Sequence, residues 1–144
     1  MELEYKIIEF NSEAFNQMLE IRSKVLREPL GLKYTNEQLA AEINSIHIVV
    51  LYNQKIVGGL QLVEEKDGHI KARQVAIHPL FQSLGLGKGL MLYAEDFARK
   101  KNYTYIYCHA RNTAINFYTQ LKYQIKGEEF QEVGIPHHYM FKFL

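Results

Sequence analysis

The sequence predicts an α+β fold in which helices flank a mostly antiparallel sheet with one parallel strand pair. Residues 47–77 contain three strand-like runs joined by the turn pairs Asn53-Gln54 and Asp67-Gly68, a pattern typical of an antiparallel meander. A strand, a helical pattern and a second strand then follow between residues 73 and 109. This order predicts a parallel pair with a right-handed crossover. At 144 residues, we expect a single domain over residues 1–144.

The first half of the chain begins with a strand and two helices. Residues 3–10 are rich in Tyr, Ile and Phe, which favours a strand. Ser12 is a good N-cap for a helix over residues 13–26, which Pro29 and Gly31 would break. Thr35 and Gln38 form a capping-box pattern for a short helix through Ile43. We expect the apolar side chains of that helix to face inward, namely Leu39, Ala40 and Ile43.

The meander strands are predicted at residues 47–52, 55–65 and 70–77, and the last of them leads into the central stretch Arg73–Lys101. After the strand end at Ile77 come a His78-Pro79 turn, a glycine loop and a helix with apolar residues at helical spacing. Residues 103–109 are the next strand and residues 112–121 the next helix. The chain then offers a terminal pair of strands, at residues 123–130 and 136–144.

Composition excludes several classes of protein. The hydrophobic fraction is 47%, the charged fraction 23% and the net charge +1, so no electrostatic signature of nucleic-acid or membrane binding is present. One cysteine, Cys108, cannot form an internal disulfide, and residues 1–11 lack the apolar core of a signal peptide, so we expect a cytoplasmic protein. With no His-Glu-x-x-His motif, we expect no metal site.

The glycine loop has the spacing Gln82-x-x-Gly85-x-Gly87 directly before a predicted helix. Free backbone N–H groups at a helix start favour a bound anion, and glycine lets that anion approach the backbone. A P-loop would need Ser or Thr after Lys88, where the chain has Gly89, so that reading fails. The dinucleotide fingerprint is also a poor match. Taken alone, the loop leaves open a phosphate site or a tight turn.

Three motifs in order resemble the GNAT superfamily of N-acetyltransferases. The loop at residues 82–87 looks like the Gln/Arg-x-x-Gly-x-Gly/Ala signature of that family. Residues 110–121, with their Asn, Ala and Phe-Tyr, resemble its second motif. Residues 132–140, Glu-Val-Gly-Ile-Pro-His-His-Tyr-Met, are similar to a tail found in part of the superfamily.

The resemblance implies a splayed acyl-CoA N-acyltransferase fold, in which residues 73–77 part from residues 103–109 and acetyl-CoA lies in the gap. Val75 and Ile77 would pair with the pantetheine arm and the acetyl carbonyl, and Tyr118 would face the sulfur. A freed strand N–H such as that of Val75 would stabilise the developing oxyanion. Asn112 would bind the cofactor or cap its helix, and we favour capping. The pyrophosphate would bind the loop amides of Gln82, Ser83, Leu84, Gly85, Leu86, Gly87 and Lys88.

The sequence departs from the family pattern where many members carry a strand glutamate, because Arg73 and Gln74 stand there. The general base is therefore unassigned, with Glu132, His109, His137 and a water chain as candidates. His137 and His138 are strand neighbours that point to opposite faces and cannot chelate one metal together. Lys122 replaces a common glycine after the helix, and Cys108 is expected to be a small buried residue.

The predicted function is transfer of an acetyl group from acetyl-CoA to a primary amine of a small molecule or peptide, by direct attack in a ternary complex. Two alternatives remain: a non-catalytic acyl-CoA-binding or sensing domain, and a protein-interaction module. The acceptor pocket is expected between residues 27–35 and the terminal strands. The charges there do not choose between a polyamine, an amino sugar, an amino acid and a protein lysine. The resemblance also allows a homodimer through the terminal strands.

Overall fold

The computed structural model describes residues 2–144, and its strands form one eight-stranded sheet in the order β1-β2-β3-β4-β5-β8-β6, with β7 pairing β8 as well. The strands are β1 Leu3–Ile8, β2 Ile46–Tyr52, β3 Lys55–Glu64, β4 His69–Ile77, β5 Tyr105–Arg111, β6 Gln124–Ile125, β7 Phe130–Glu132 and β8 Ile135–Phe143. The α-helices are α1 Glu13–Arg22, α2 Asn36–Ala40, α3 Leu86–Lys100 and α4 Ile115–Gln120. Strands β1 to β4 pair antiparallel in chain order, so the predicted meander is confirmed.

Both predicted helix caps are present. The Ser12 side chain accepts a hydrogen bond from the Phe15 N–H at 3.1 Å, and Thr35 and Gln38 form the reciprocal capping box. Helix α1 continues as a π-helical turn over Ser23–Arg27. The inward orientation predicted for Ala40 and Ile43 is wrong. Helix α2 ends at Ala40 and the chain then runs through turns, which leaves both side chains exposed and Ile43 at 62%.

Within the part of the chain that the structure describes, strands β4 and β5 form the one parallel pair, and their pairing is short. Residues His69–Lys71 pair with Tyr105–Tyr107, and no further pairing between these strands follows among the described residues. On its other edge, strand β5 pairs antiparallel with β8 from Tyr105 to Arg111. The carboxyl-terminal half of β4 is therefore left unpaired on the β5 side, and a gap opens in the sheet between β4 and β5.

A bulge in β4 accompanies this separation. Gln74 has φ +56°, and the β3–β4 register shifts between Gly59 and Gln61. The extra residue changes which face the later side chains occupy. Ala72 packs in the core under α3, whereas Ala76 packs under α1, although residues four apart share a face in a regular strand.

Two apolar cores therefore lie on opposite faces of the sheet. The larger packs α3 and α4 against β5, with Leu90, Ile106 and Tyr118 among its members. The smaller packs α1 against the meander through Phe15 and Met18. No described helix is both long enough and apolar enough to cross a membrane.

The predicted terminal strand at residues 123–130 is wrong as a single element. It consists of β6 and β7, separated by a segment in which Gly127 has φ +83°. Both short strands pair with β8. The second of them brings Glu132 back towards the end of β5, which positions part of the site described next.

Candidate active site

A cavity of about 640 Å³ lies where β4 and β5 separate. Its walls come from the second half of β4, the glycine loop, the end of β5, helix α4 with the turn before it, the end of the α1 π-turn, the β7–β8 hairpin, and Gln38 of α2. The cavity therefore connects the α3–α4 face of the sheet with the α1 face. The predicted acceptor pocket between residues 27–35 and the terminal strands overlaps it at Arg27 and at the hairpin.

The free edge of β4 presents backbone groups to this cavity. The His78 N–H donates to the Val57 carbonyl of β3 at 2.7 Å. Because successive backbone groups of a strand alternate in direction, those of Val75 and Ile77 face the gap. The Ile77 carbonyl accepts a hydrogen bond from Gln82 Nε2 at 3.0 Å, which agrees with this orientation. The Val75 N–H thus faces the gap, and the oxyanion role expected of it remains a prediction.

The glycine loop ends at the start of α3. Gly85 is the N-cap with φ +78°, and the Gly89 N–H donates to the Gly85 carbonyl, so the preceding helix amides lack an intrahelical acceptor. A Cβ at Gly87 would lie 3.3 Å from the Phe117 ring, tighter than ordinary contact. Among the predicted loop residues, Gln82 and Gly87 line the cavity, Leu86 is buried, and Ser83, Leu84, Gly85 and Lys88 are exposed.

Tyr118 lies on the cavity wall and is 6% exposed. Its ring packs edge-on against Tyr123, with the ring centroids 5.6 Å apart, and Cys108 lines the same cavity. Burial, followed by the neighbouring Cys108, raises the pKa of Tyr118, and burial raises the pKa of Cys108 to about 12. Both groups therefore carry their protons near neutral pH. Cys108 is 2% exposed, so its predicted burial is confirmed.

The three candidate bases meet on the opposite side of the cavity. His109 Nδ1 lies 2.9 Å from one Glu132 oxygen, and His137 Nε2 lies 3.8 Å from the other. Burial raises the Glu132 pKa, but the His109 hydrogen bond and the charges of both histidines and Lys71 outweigh it, so the net pKa is lowered. Glu132 is therefore an anion between two imidazoles.

Hydrogen bonding defines the tautomer of His137. Its Nδ1 lies 2.9 Å from the Ile135 carbonyl, which can only accept, so Nδ1 carries a proton. In the neutral ring, Nε2 then has a free lone pair beside Glu132. His138 faces away, as predicted, with its Nδ1 2.8 Å from Asn112 Oδ1.

The capping role favoured for Asn112 is wrong. Asn112 opens a 3-10 turn that precedes α4, and Arg111, the residue at the cap position, makes no side-chain cap bond. The Asn112 amide instead donates to Glu129 at 2.6 Å and bonds His138. These contacts tie the β6–β7 segment to β8, and Asn112 is absent from the cavity wall. Its cofactor-binding role remains a prediction.

The structure also shows a contact that sequence reasoning missed. Gln74, at the bulge and near the position of the absent strand glutamate, accepts a hydrogen bond from the Tyr34 hydroxyl at 2.6 Å. The Tyr34 ring lies 4.6 Å from each of the Arg22 and Arg27 guanidinium carbons. No local pattern signals a contact between residues 40 positions apart. Within residues 2–144 no group of three His, Cys, Asp or Glu side chains is arranged to hold a metal ion.

The parted strands, the glycine loop at a helix start and the cavity between them define the fold of acyl-CoA N-acyltransferases. Residues 13–123 match the Acetyltransferase (GNAT) family. The chain therefore belongs to the GNAT family of acetyltransferases, and the resemblance noted in its motifs is confirmed.

Similar proteins agree with this assignment. "Uncharacterized protein YyaT" of Bacillus subtilis is 35% identical over 98 residues, which cover 67% of this chain and 64% of that protein. An acyl-CoA N-acyltransferase from Pseudomonas aeruginosa has a TM-score of 0.81 at 19% identity, covering 98% of this chain and 99% of the other. The PaiA N-acetyltransferase from Thermoplasma acidophilum, in complex with coenzyme A, has a TM-score of 0.75 at 14% identity with full coverage of both chains (100% each). At these identities the two structures establish the fold.

Proposed function

We propose that this chain is an acetyl-CoA-dependent N-acetyltransferase that acts on a primary amine of a small molecule or peptide, by direct attack in a ternary complex. One observation carries the proposal. The cavity between the parted β4 and β5 has a helix N-terminus and Tyr118 at one side and the His109–Glu132–His137 cluster at the other. In this proposal residues 1–144 act as one catalytic domain.

The α3 side suits the cosubstrate. The orphan amides at the start of α3 can donate hydrogen bonds to pyrophosphate oxygens, and the missing side chain at Gly87 leaves space beside Phe117. The edge groups of Val75 and Ile77 offer strand-like hydrogen bonds to the amides of a pantetheine arm. A related fold, that of the Thermoplasma acidophilum PaiA enzyme, has been solved in complex with coenzyme A, which supports the same ligand here.

The α1 side suits an amine. A thioester reacts with the neutral amine, so the ammonium form must first lose a proton. Imidazole changes charge near neutral pH, whereas the lowered pKa of Glu132 makes its carboxylate a weak base. We therefore assign proton acceptance to the free His137 Nε2, with Glu132 stabilising the imidazolium and His109 orienting Glu132.

In the proposed step the amine nitrogen forms a bond to the acyl carbon and the carbon–sulfur bond breaks. The Val75 N–H stabilises the oxyanion. The neutral amine gives its proton to His137 as the amide forms, and the CoA sulfur leaves as a thiolate that accepts a hydrogen bond from the Tyr118 hydroxyl, which is neutral at working pH because its pKa is raised. A thiolate is a fair leaving group, so loss of the Tyr118 hydroxyl should slow turnover without abolishing it.

The cosubstrate site is tested by thermal unfolding with and without acetyl-CoA and free CoA. A ligand that binds only the folded state raises the midpoint. We expect a clear rise that Gly87→Glu abolishes, because this change places a side chain against Phe117 and a negative charge at the helix start. Leu92→Glu, which adds the same charge to an exposed position of α3, is the control. No shift with either ligand at millimolar concentration would overturn the proposal.

Catalysis is tested by the release of CoA thiol with a panel of primary amines. Tyr118→Phe should lower kcat by roughly tenfold and His137→Gln by roughly a hundredfold, with the acetyl-CoA midpoint shift retained in both. Acetyl-CoA binding without turnover of any amine would favour the non-catalytic sensing domain.

A further inference from the structure

The charged side chains that line the cavity are mostly basic. Four basic side chains line it and one acidic side chain, Glu132, opposes them. An ammonium acceptor alone would add a further positive charge to this set. The basic residues are Arg27, Lys71, Arg73 and Arg111.

Two of these guanidinium groups donate hydrogen bonds to the same backbone carbonyl. Arg111 donates to the Leu26 carbonyl at 2.7 Å and Arg27 donates to the same oxygen at 3.3 Å. The π-helical turn that ends at Arg27 presents this carbonyl, and Tyr34 stacks beneath the Arg27 group. Each guanidinium carries five N–H donors, so most of them remain available. Within residues 2–144 neither arginine forms an ion pair with an acidic side chain, whereas the nearby Arg22 is paired with Glu42.

The arrangement is electrostatically unfavourable without a further ligand. Burial, and then the neighbouring Arg27 charge, lower the pKa of Arg111. Two half-buried like charges that share a single neutral acceptor are costly unless an anion joins them. Arginine pairs are also the side chains best suited to bind a carboxylate or phosphate through parallel hydrogen bonds.

These arginines lie on the acceptor side and not on the cosubstrate side. Along β5, Cys108 and Ala110 face the core that contains α3 and α4, so Arg111 and His109 face the opposite side of the sheet. Arg111 is also in register with His137 across the β5–β8 pair. The two guanidinium groups and the His137–Glu132 base therefore line the same side of the cavity.

We infer that the acceptor is an amine that also carries an acidic group, a carboxylate or a phosphate, bound by Arg27 and Arg111 while Glu132 and His137 receive its amino group. This inference rests on the proposed acetyltransferase function and narrows it. It favours amino acids and phosphorylated amines or amino sugars over polyamines, whose charges are all positive.

The test uses matched acceptors that differ in the anionic group. Amino acids are compared with their carboxamides, and O-phosphoethanolamine with ethanolamine, which separates the carboxylate from the phosphate. Two readouts are taken: kcat/KM for CoA release, and the midpoint shift that each acceptor causes in protein saturated with CoA. CoA saturation keeps the acceptor from occupying the glycine loop.

We expect at least one acidic acceptor to exceed its neutral partner by roughly tenfold or more, since a charge-assisted hydrogen bond contributes on that scale. Arg111→Gln and Arg27→Gln should each reduce this acid-to-neutral ratio by roughly tenfold. Because two arginines are changed separately, a folding defect in one variant leaves the other to test the inference. Lys24→Gln removes the same charge from an exposed residue beside the cavity and should leave the ratio unchanged.

Equal use of acidic and neutral acceptors, a preference for the neutral partner, or no response of the CoA-saturated protein to any acidic acceptor would each overturn the inference. An acid preference that survives both arginine changes would also overturn the assignment to Arg27 and Arg111. Failure of the acetyltransferase proposal itself is distinguished by the absence of any CoA-induced midpoint shift.

Discussion

A buried charge network beneath Tyr118 provides a strong stability prediction. Glu95 on α3 is completely buried, with one oxygen 2.8 Å from Lys142 Nζ and the other accepting a hydrogen bond from the Tyr123 hydroxyl at 2.8 Å. The Tyr123 ring in turn packs against Tyr118. The network therefore links the helix that starts at the glycine loop to Tyr118.

Lys142→Met removes the positive charge and retains the apolar stem. Removing one partner of a fully buried pair costs about 3–5 kcal/mol, because the other charge is left uncompensated. The Lys142 side chain is 18% exposed, and Arg99 stays 3.7 Å from the same Glu95 oxygen, so partial compensation remains. We expect a loss of about 2–3 kcal/mol. For a chain of this length that corresponds to a midpoint drop of roughly 6–9 °C.

Urea unfolding of matched variants measures this loss. Lys100→Met is the control, since Lys100 and Asp96 form an exposed ion pair at 3.0 Å and the change should cost under about 0.5 kcal/mol. The double change Glu95→Gln with Lys142→Met should be less destabilised than Lys142→Met alone, because no buried anion remains. If Lys142→Met costs no more than Lys100→Met, the reasoning about an uncompensated buried charge is refuted.

Three further predictions concern single residues. Lys122 has φ +75° just after α4, where the Lys122 and Tyr123 N–H groups donate to the Thr119 and Tyr118 carbonyls, respectively. Because glycine adopts this left-handed conformation at lower cost, Lys122→Gly should raise the free energy of unfolding by about 1 kcal/mol. An unchanged urea midpoint would contradict this. Burial raises the pKa of Cys108 to about 12, so about one part in ten thousand of its thiol is thiolate at pH 8. Ellman's reagent should therefore label Cys108 slowly in native protein and rapidly in urea. Fast labelling of native protein would be inconsistent with its burial. Because the folded pKa of Glu132 lies below 4.5, the stabilising effect of Glu132 is fully present above pH 4.5 and is lost as the pH falls through the folded pKa. The difference in thermal midpoint between wild type and Glu132→Gln should therefore shrink as the pH falls. A difference that stays constant down to pH 3 speaks against the Glu132 contacts.

Local signals in the sequence were sufficient for the order of elements and for several of their ends. Ser12 and the Thr35–Gln38 box cap their helices as predicted, since these bonds span three residues and depend little on the rest of the fold. The glycine loop was found from its spacing before an amphipathic helix. The family motifs placed Tyr118 and the β4 edge, and the structure brings both to one cavity.

Contacts between distant residues were decided only by the tertiary structure. The sequence named His109, Glu132 and His137 as separate candidates, and pairing of β5 and β7 with β8 joins them. The pairing of β5 with β8 joins residues far apart in the chain, so no local pattern contains it. Long-range contacts also determine three features that the sequence did not predict: the bulge at Gln74, the Asn112 contacts and the exposure of Ile43. Local chemistry thus determined which groups this chain possesses, while long-range pairing determined that three arginines, two histidines and one glutamate line the same cavity.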